Sequence, residues 1–552
     1  MTINEDAYRY AIKSAQQYGK AEVGPLIGKL KALHKDTDVK EIMPIVIETI
    51  KKVNSMNKKE IDEAFSNFES GYELKPKPER EGLPELDWAE NGEDVVTRYA
   101  PNPNGPFHLG NARAAFLSYA YAEKYHGKFI LRFEDTDPKI KKPIENAEEV
   151  FREDLEWLGI EVKEVYYASD RLDKYVEYMR KLIEQGNAYV CKCESEKWRE
   201  LIKQKKGCAC REKNYEKQMR EFDKMLSNEL KEGEAVLRIK TDLQNPDPSV
   251  RDWWIARIID HPKHPRIREG YHVWPSYMFQ SGIDDHEMSV TFILRGQEHS
   301  QNETKQRYMY EYFGWKYPHA VHFGRLSIGD MVLSTSKISK GIEEGKYEGW
   351  DDIRLGTIKA LRRKGFKPEA LKKIITDSGL TTSDANISEA KLASYNKELI
   401  ADEAKRTVYL ADPVKLEVHL PNTLEAEKDG EKMTLRQGIN EFYVSKSEIS
   451  SAKDAIFRLR GAFNVRLTNK PTPNELVIQG EFAGTTIDKK KVVSWLIDPI
   501  DLVVKNADNS DEMGMIENQK LHKGQYLQLE KKGFYIIDSV SEKRPIAWFC
   551  HE

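Results

Sequence analysis

The sequence predicts a multidomain chain in which an α/β core on a parallel sheet stands between a helical N-terminal domain and an all-β ending. Three observations predict this. Apolar residues recur at helical spacing before residue 70, a strand–helix–strand unit fills about 40 residues after residue 93, and short apolar runs bounded by Pro, Asn, Asp and Gly follow Asp412. With 552 residues, 39% of them hydrophobic, the chain can bury several cores, about three to five domains by size.

In the N-terminal domain, residues 1–90, Ile42, Val46, Ile50 and Val53 fall on one helical face with Glu48, Lys51 and Lys52 between them. Pro44 fits that helix if it lies in the first turn, where its missing N–H costs nothing. The segment Leu74–Pro84, LKPKPEREGLP, carries three prolines and dense charge, which predicts an extended linker.

The core opens with Val95–Tyr99 as a strand, PNPNGP as a loop, His108–Tyr125 as an amphipathic helix and Lys128–Phe133 as the next strand. A parallel sheet places ligands at the carboxyl ends of its strands, so the loop Asn102–Gly110 is the place for chemistry. There His108-Leu109-Gly110-Asn111 opens the helix, where unpaired N–H groups and the positive end of the dipole attract phosphate. The imidazole can donate to a phosphate oxygen, and Gly110 leaves room for a nucleotide. The tetrapeptide alone does not decide the matter, because a histidine near a helix start is more often a surface or capping residue.

The longer stretch TRYAPNPNGPFHLGNARAA, followed by LRFEDTDP, resembles the first catalytic motif of class I aminoacyl-tRNA synthetases, and within them the glutamyl and glutaminyl branch. The family's HIGH motif stands here as HLGN, with Asn111 in place of the second histidine. The resemblance implies a Rossmann-like catalytic core that binds ATP with Mg2+. It places Pro101, Asn102, Pro103, His108, Gly110 and Asn111 around the nucleotide, with His108 stabilising the charge on the α-phosphate. It sets Glu134 against the amino group of the amino acid.

WPSYMFQ and the stretch around FILRGQEHS look like the same branch and single out Tyr277 and Arg295. The resemblance makes Arg295 the residue that separates two specificities: glutamate-loading enzymes carry arginine there. A guanidinium grips both oxygens of a carboxylate in a planar fork but would face the amide donors of glutamine with donors of its own. Arg98 resembles the family's other side-chain contact. Two arginines converging on one pocket favour an acidic substrate. The third motif, KMSKS, is matched imperfectly by RLSIGDMVLSTSKISKG. Thr335 stands where its lysine is expected, Ser334 lies beside it, and Lys337 and Lys340 are the nearest cations, Lys337 being the candidate for the phosphates.

Between the two halves of the core, Cys191-Lys192-Cys193 and Cys208-Ala209-Cys210 offer four thiolates in two tight pairs, suited to a structural zinc site. Reduced free cysteines, or three of them joined by a histidine, are the other readings. Five cysteines in all exclude a disulfide framework.

Near the C-terminus, FRLRGAFNVR sets three arginines and two phenylalanines on a strand pair, and Arg458, Arg460 and Phe463 are candidates for RNA contact. The β-barrel ending resembles archaeal and eukaryotic glutamyl enzymes. The resulting expectation runs 1–90 helical domain and linker, 91–190 first half of the core, 191–270 acceptor-binding insertion, 271–345 second half, 346–411 helical junction and 412–552 anticodon-binding barrels.

The net charge of -4 confines any nucleic-acid binding to local basic patches. No run of about 18 apolar residues and no secretory order at the start predict a cytoplasmic protein without membrane association. The implied reaction joins L-glutamate to tRNA(Glu) through an adenylate. The resemblance to archaeal members extends this to tRNA(Gln), with a downstream amidotransferase as partner. A glutaminyl-tRNA synthetase and a non-catalytic zinc-containing RNA-binding protein are the rival readings.

Overall fold

A computed structural model describes residues 2–34, 37–66, 82–90, 92–105, 107–267, 270–329, 331–428, 430–452, 455–468, 472, 476–487, 490–540 and 544–552. The chain divides into two compact units, residues 1–80 and 81–552. The first holds the helices Ile3–Tyr18, Val23–Leu33, Val39–Asn54 and Lys58–Ser66. A capping box starts the first of them, Thr2 and Glu5 each satisfying the other's backbone N–H.

Ala7, Ala11, Ile12 and Ala15 of that helix join Leu30, Ile42, Val46 and Val53 in one buried cluster, and Ile50 packs partly buried against it. Pro44 departs from expectation. Asp38 caps its helix, so Pro44 is the sixth residue and lies beyond the first turn. Without an N–H it cannot bond the carbonyl four residues back, and the helix loses that rung. The expected linker at 74–84 lies outside the described residues as far as residue 81.

The second unit is built on strands β1 (Val96–Tyr99), β2 (Lys128–Phe133) and β3 (Glu164–Tyr167). The chain then leaves for an antiparallel sheet of β4 (Ala188–Cys191), β5 (Val236–Ile239), β6 (Trp254–Ile258) and β7 (Val273–Pro275), and returns with β8 (Phe292–Gly296) and β9 (His319–Phe323). β3, β2, β1, β8 and β9 form one sheet in that order, every neighbour parallel. In β2 the near-continuous apolar run KFILRF is buried from Phe129 to Phe133, as a strand covered on both faces requires.

The strand order reverses between β1 and β8, which opens a crevice at their carboxyl ends. Arg98 ends near that edge on β1 and Arg295 on β8. The insertion sheet shares a core with the helices Leu172–Glu184 and Tyr277–Glu287, so packing inside the insertion also fixes the helix that carries Tyr277.

Beyond the core lie the helices Ile358–Arg363, Pro368–Ser378 and Glu389–Ile400, then two seven-stranded sheets. The two edge strands of each sheet are consecutive stretches of chain: Lys491–Val493 and Trp495–Leu496 in one, Lys405–Thr407 and Tyr409–Leu410 in the other. Each sheet therefore curls until its edges adjoin, forming the expected barrels and hiding open edges. Residues 405–410, read from sequence with the helical junction, pair into the distal barrel.

Candidate active site

The helix Leu109–Lys124 begins at His108, whose backbone is extended, and no side chain hydrogen-bonds its terminus. Its first N–H, that of Leu109, donates instead to Gly356 O at 3.2 Å, so a backbone carbonyl meets the helix at that rung. The Nδ1 of His108 is buried without a partner, and burial lowers the imidazole pKa to about 4, so the ring is neutral at pH 7. A Cβ on Gly110 would stand 3.1 Å from His108 Cε1 and 3.2 Å from Nδ1, so the glycine makes room for that ring. Asn111 follows on the first turn, half-buried.

The PNPNGP loop is tied to the end of β2. Glu134 N–H donates to Pro101 O at 2.8 Å, and Asn102 Nδ2 donates to Glu134 O at 2.9 Å. Pro103 O accepts from Ile144 N–H at 2.9 Å. These bonds fix the backbone of Glu134, whose carboxylate is buried. Its Oε1 accepts from Arg132 Nε at 3.0 Å, while Oε2 has no partner. Burial, with Asp284 and Asp285 nearby, raises the Glu134 pKa to about 8 against the pull of Arg132.

Behind Glu134 lies a charge network that the sequence alone did not reveal. Arg98 gives Nε to Asp285 Oδ1 at 3.0 Å and Nη2 to Oδ2 at 3.5 Å, and Arg132 Nη2 lies 2.9 Å from Asp285 Oδ1. Arg171 Nε donates to Asp284 Oδ1 at 2.6 Å. Burial works to raise the Asp285 pKa, but Arg98 and Arg132 hold it below its ordinary value. Arg98 is thus neutralised from within the fold. The available signal was the pair Asp284-Asp285 beside Phe279 and Ile283 on a helix, where two buried carboxylates need cations.

Arg295 is held differently. It is 5% exposed, and no carboxylate among the described residues lies within ion-pair range of it. Its Nε donates to His322 Nε2 at 3.0 Å, Nη1 to Gln306 Oε1 at 3.2 Å and Nη2 to the Tyr317 hydroxyl at 3.0 Å. Tyr277 is half-buried at the start of its helix, its ring 5.8 Å from that of His299. Glu134, Arg98 and Arg295 all bear on the Tyr277 hydroxyl electrostatically, which brings the four sequence-predicted residues to one place.

Residues 94–402 match the family described as tRNA synthetases class I (E and Q), catalytic domain. The chain is 43% identical over 575 residues to the glutamate–tRNA ligase of Pyrococcus furiosus. It is 45% identical over 580 residues to that of Thermococcus kodakarensis and 45% over 573 to that of Pyrococcus horikoshii. Each match covers 100% of both chains. This chain belongs to the glutamate–tRNA ligases. It is accordingly an enzyme of the class I synthetases, similar over its full length to archaeal glutamate–tRNA ligases.

The family's lysine motif takes an unexpected shape here. The segment read as a flexible loop is helical from Thr335 to Glu343, with Leu333 and Ser334 just before it. Gly105 of the PNPNGP loop touches this segment, since a Cβ there would stand 2.3 Å from Thr335 Cγ2. The two motifs therefore meet at the threonine that replaces the lysine. Ser334 and Lys337 are exposed, and among the described residues Lys337 has no ion-pair partner, whereas Lys340 lies 3.6 Å from Glu344.

Cys191, Cys193, Cys208 and Cys210 converge, their sulfur atoms all within 4.8 Å of one another and those of Cys191 and Cys208 3.9 Å apart. A tetrahedral zinc with Zn–S near 2.3 Å needs sulfurs about 3.8 Å apart, so the four residues fit the ion. In the proximal barrel the structure corrects one expectation. Phe463 is 1% exposed, packed on Phe442 and Phe482 in the barrel core, so its ring offers no face to a base. The strand alternation that turned Arg458 outward turned the phenylalanines in. Arg458 bonds the carbonyls of Ala462 and Thr485, and Arg460 pairs with Glu530 at 2.8 Å.

Proposed function

We propose that this chain activates L-glutamate with Mg-ATP as an enzyme-bound glutamyl adenylate and transfers it to tRNA(Glu) and tRNA(Gln). The observation that carries the choice of amino acid is Arg295: a buried cation surrounded only by neutral acceptors waits for a carboxylate, and the γ-carboxylate of glutamate supplies one. An amide would leave the charge unpaired and set donors against donors.

The remaining roles follow from the same crevice. The unpartnered Oε2 of Glu134 accepts from the substrate ammonium, and Glu134, protonated near pH 7, releases its proton to solvent as the cation binds. Tyr277 and Arg98 complete the amino-acid pocket. Neutral His108 donates to the α-phosphate at the start of the helix as the carboxylate attacks, so charge developing there meets a positioned donor. Pro101, Asn102, Pro103, Gly110 and Asn111 border the nucleotide, and Ser334 with Lys337 approaches its outer phosphates as a point charge. Magnesium arrives with the nucleotide and offsets phosphate charge.

Zinc held by Cys191, Cys193, Cys208 and Cys210 closes the insertion, which holds the acceptor end of the RNA. Arg458 and Arg460 contribute RNA contacts on the proximal barrel. Loading tRNA(Gln) with glutamate makes an amidotransferase the next enzyme. The protein works in the cytoplasm, in keeping with the absence, among the described residues, of a helix long and apolar enough to cross a membrane.

The reading is tested by aminoacylation of purified tRNA(Glu) and tRNA(Gln) with labelled glutamate and, separately, labelled glutamine. Glutamate on both RNAs is the expected result. Glutamate on one only removes the permissive reading, and glutamine loading overturns the role of Arg295.

A further inference from the structure

The three acceptors around Arg295 come from three elements and none carries charge. His322 sits on β9 directly opposite Arg295 in the parallel register. Gln306 lies on the helix Ser300–Phe313, fully buried, and Tyr317 on the segment that leads from that helix to β9.

Their orientations are fixed by bonds of their own. Gln306 Nε2 donates to Met278 O at 3.0 Å and to Ser281 Oγ at 2.9 Å, so both amide hydrogens are used and only Oε1 can face Arg295. The Tyr317 hydroxyl donates to Gln306 Oε1 at 2.7 Å, which leaves its lone pair for Arg295 Nη2. His322 must be unprotonated at Nε2 to accept from Arg295, so its proton is on Nδ1, 3.6 Å from Glu303 Oε2. Glu303 is itself engaged by Arg307, one turn along the same helix, at 2.6 Å. The nearby acid is thereby committed elsewhere and kept off Arg295.

We propose that Gln306, Tyr317 and His322 are positioning residues that set amino-acid specificity, by aiming the Arg295 fork at the crevice while leaving its charge uncompensated. The inference rests on Arg295 as the site of the substrate side chain. A single acid among the three would give Arg295 an internal counter-ion and abolish the preference for an external one. His322 adds a proton dependence: protonated, it loses its acceptor, turns a donor toward a cation and pushes the fork away. The charged groups around it are Arg295 on β8, Glu303 and Arg307 on the helix Ser300–Phe313, and His299 just before that helix.

The test is steady-state kinetics of the RNA-dependent exchange of pyrophosphate into ATP, with glutamate and with glutamine, on the full chain. Gln306→Glu is expected to raise KM for glutamate at least about tenfold and shift the glutamate-to-glutamine ratio of kcat/KM toward glutamine, with KM for ATP unchanged. Tyr317→Phe keeps the ring and removes one acceptor, and should weaken glutamate by less. It also serves as the second variant if Gln306→Glu does not fold.

For wild type, the glutamate-to-glutamine ratio should fall as pH drops from 8 to 5.5. His322→Gln retains an acceptor and should keep the ratio high and flat, while His322→Leu should lower it at every pH. Because Glu134 serves both amino acids alike, its own titration cancels in the ratio. Arg295→Leu separates the two levels of the claim. If it leaves KM for glutamate unchanged, the side-chain site is wrong. If it raises KM while the Gln306, Tyr317 and His322 variants keep the wild-type ratio and pH profile, the positioning claim alone is overturned.

Discussion

Arg98 and Arg295 stand near the carboxyl ends of adjacent strands and are almost equally hidden, 3% and 5% exposed, yet the fold treats their charges in opposite ways. Arg98 shares the carboxylate of Asp285 with Arg132, and Arg132 and Arg171 extend the network to Glu134 and Asp284, with Arg171 reaching on to Glu287 at 4.0 Å. Arg295 receives three neutral acceptors and no acid. Burying a charge without a counter-ion costs several kcal/mol, so a chain that does so has left the compensation to something that binds. The charge of Arg98 is met within the scaffold, although the residue borders the amino-acid pocket, whereas the charge of Arg295 is left for recognition.

The largest effect should come from breaking the scaffold half of this contrast. Asp285→Asn leaves Arg98 and Arg132 short of an anion and is expected to cost about 3–5 kcal/mol in denaturant unfolding. An unchanged midpoint would remove the distinction. Arg295→Leu should do the reverse, raising KM for glutamate about 100-fold, or about 2.7 kcal/mol, with a smaller loss of stability than Asp285→Asn because it breaks hydrogen bonds to neutral acceptors and removes the unpaired charge itself. Loss of stability comparable to that of Asp285→Asn would make both arginines scaffold.

Asp154 sharpens the point, being a buried acid with no partner on either oxygen and a pKa raised by burial to about 7. Its folded-state pKa lies above the unfolded value of 3.8, so its contribution is fully present below pH 3.8 and is lost as pH rises through about 7. Asp154→Asn should therefore raise stability at pH 8, by up to about 1.4 kcal/mol per pH unit of relieved titration, and with it the melting temperature, and leave both unchanged at pH 3.5. A melting curve that shifts equally at both pH values would mean the carboxylate is not charged in the fold at pH 8. Smallest of all, Arg460→Gln breaks a half-exposed pair with Glu530 and should cost less than about 1 kcal/mol by the same unfolding assay, the opposite extreme from Asp285.

The parallel core was legible because β2 reads as an apolar run interrupted only by Arg132 and the HLGN segment as a helix, both local signals. Short runs between turn residues likewise announced the barrels. Pro44 was misplaced because helix starts depend on which residue caps, and Asp38 lies a full turn earlier than the apolar pattern required. Phe463 was misread because strand alternation says that two faces differ and not which one is inward.

In the site, residues inside contiguous motifs were visible, whereas Asp285, Gln306, Tyr317 and His322 reach the crevice from separate elements. His322 faces Arg295 only through the pairing of β8 with β9, 27 residues apart in sequence, which no local pattern encodes. Thr335 was visible as a departure from the lysine motif, but its contact with Gly105 is a product of the tertiary fold.

The central claim is that an uncompensated Arg295 makes the pocket choose glutamate. Its most direct test is the ratio of kcat/KM for glutamate over glutamine in wild type and in Arg295→Leu, in the RNA-dependent pyrophosphate exchange. The account predicts a ratio of at least about 100 in wild type that collapses toward unity in the variant. A variant that still prefers glutamate by the wild-type margin would contradict it.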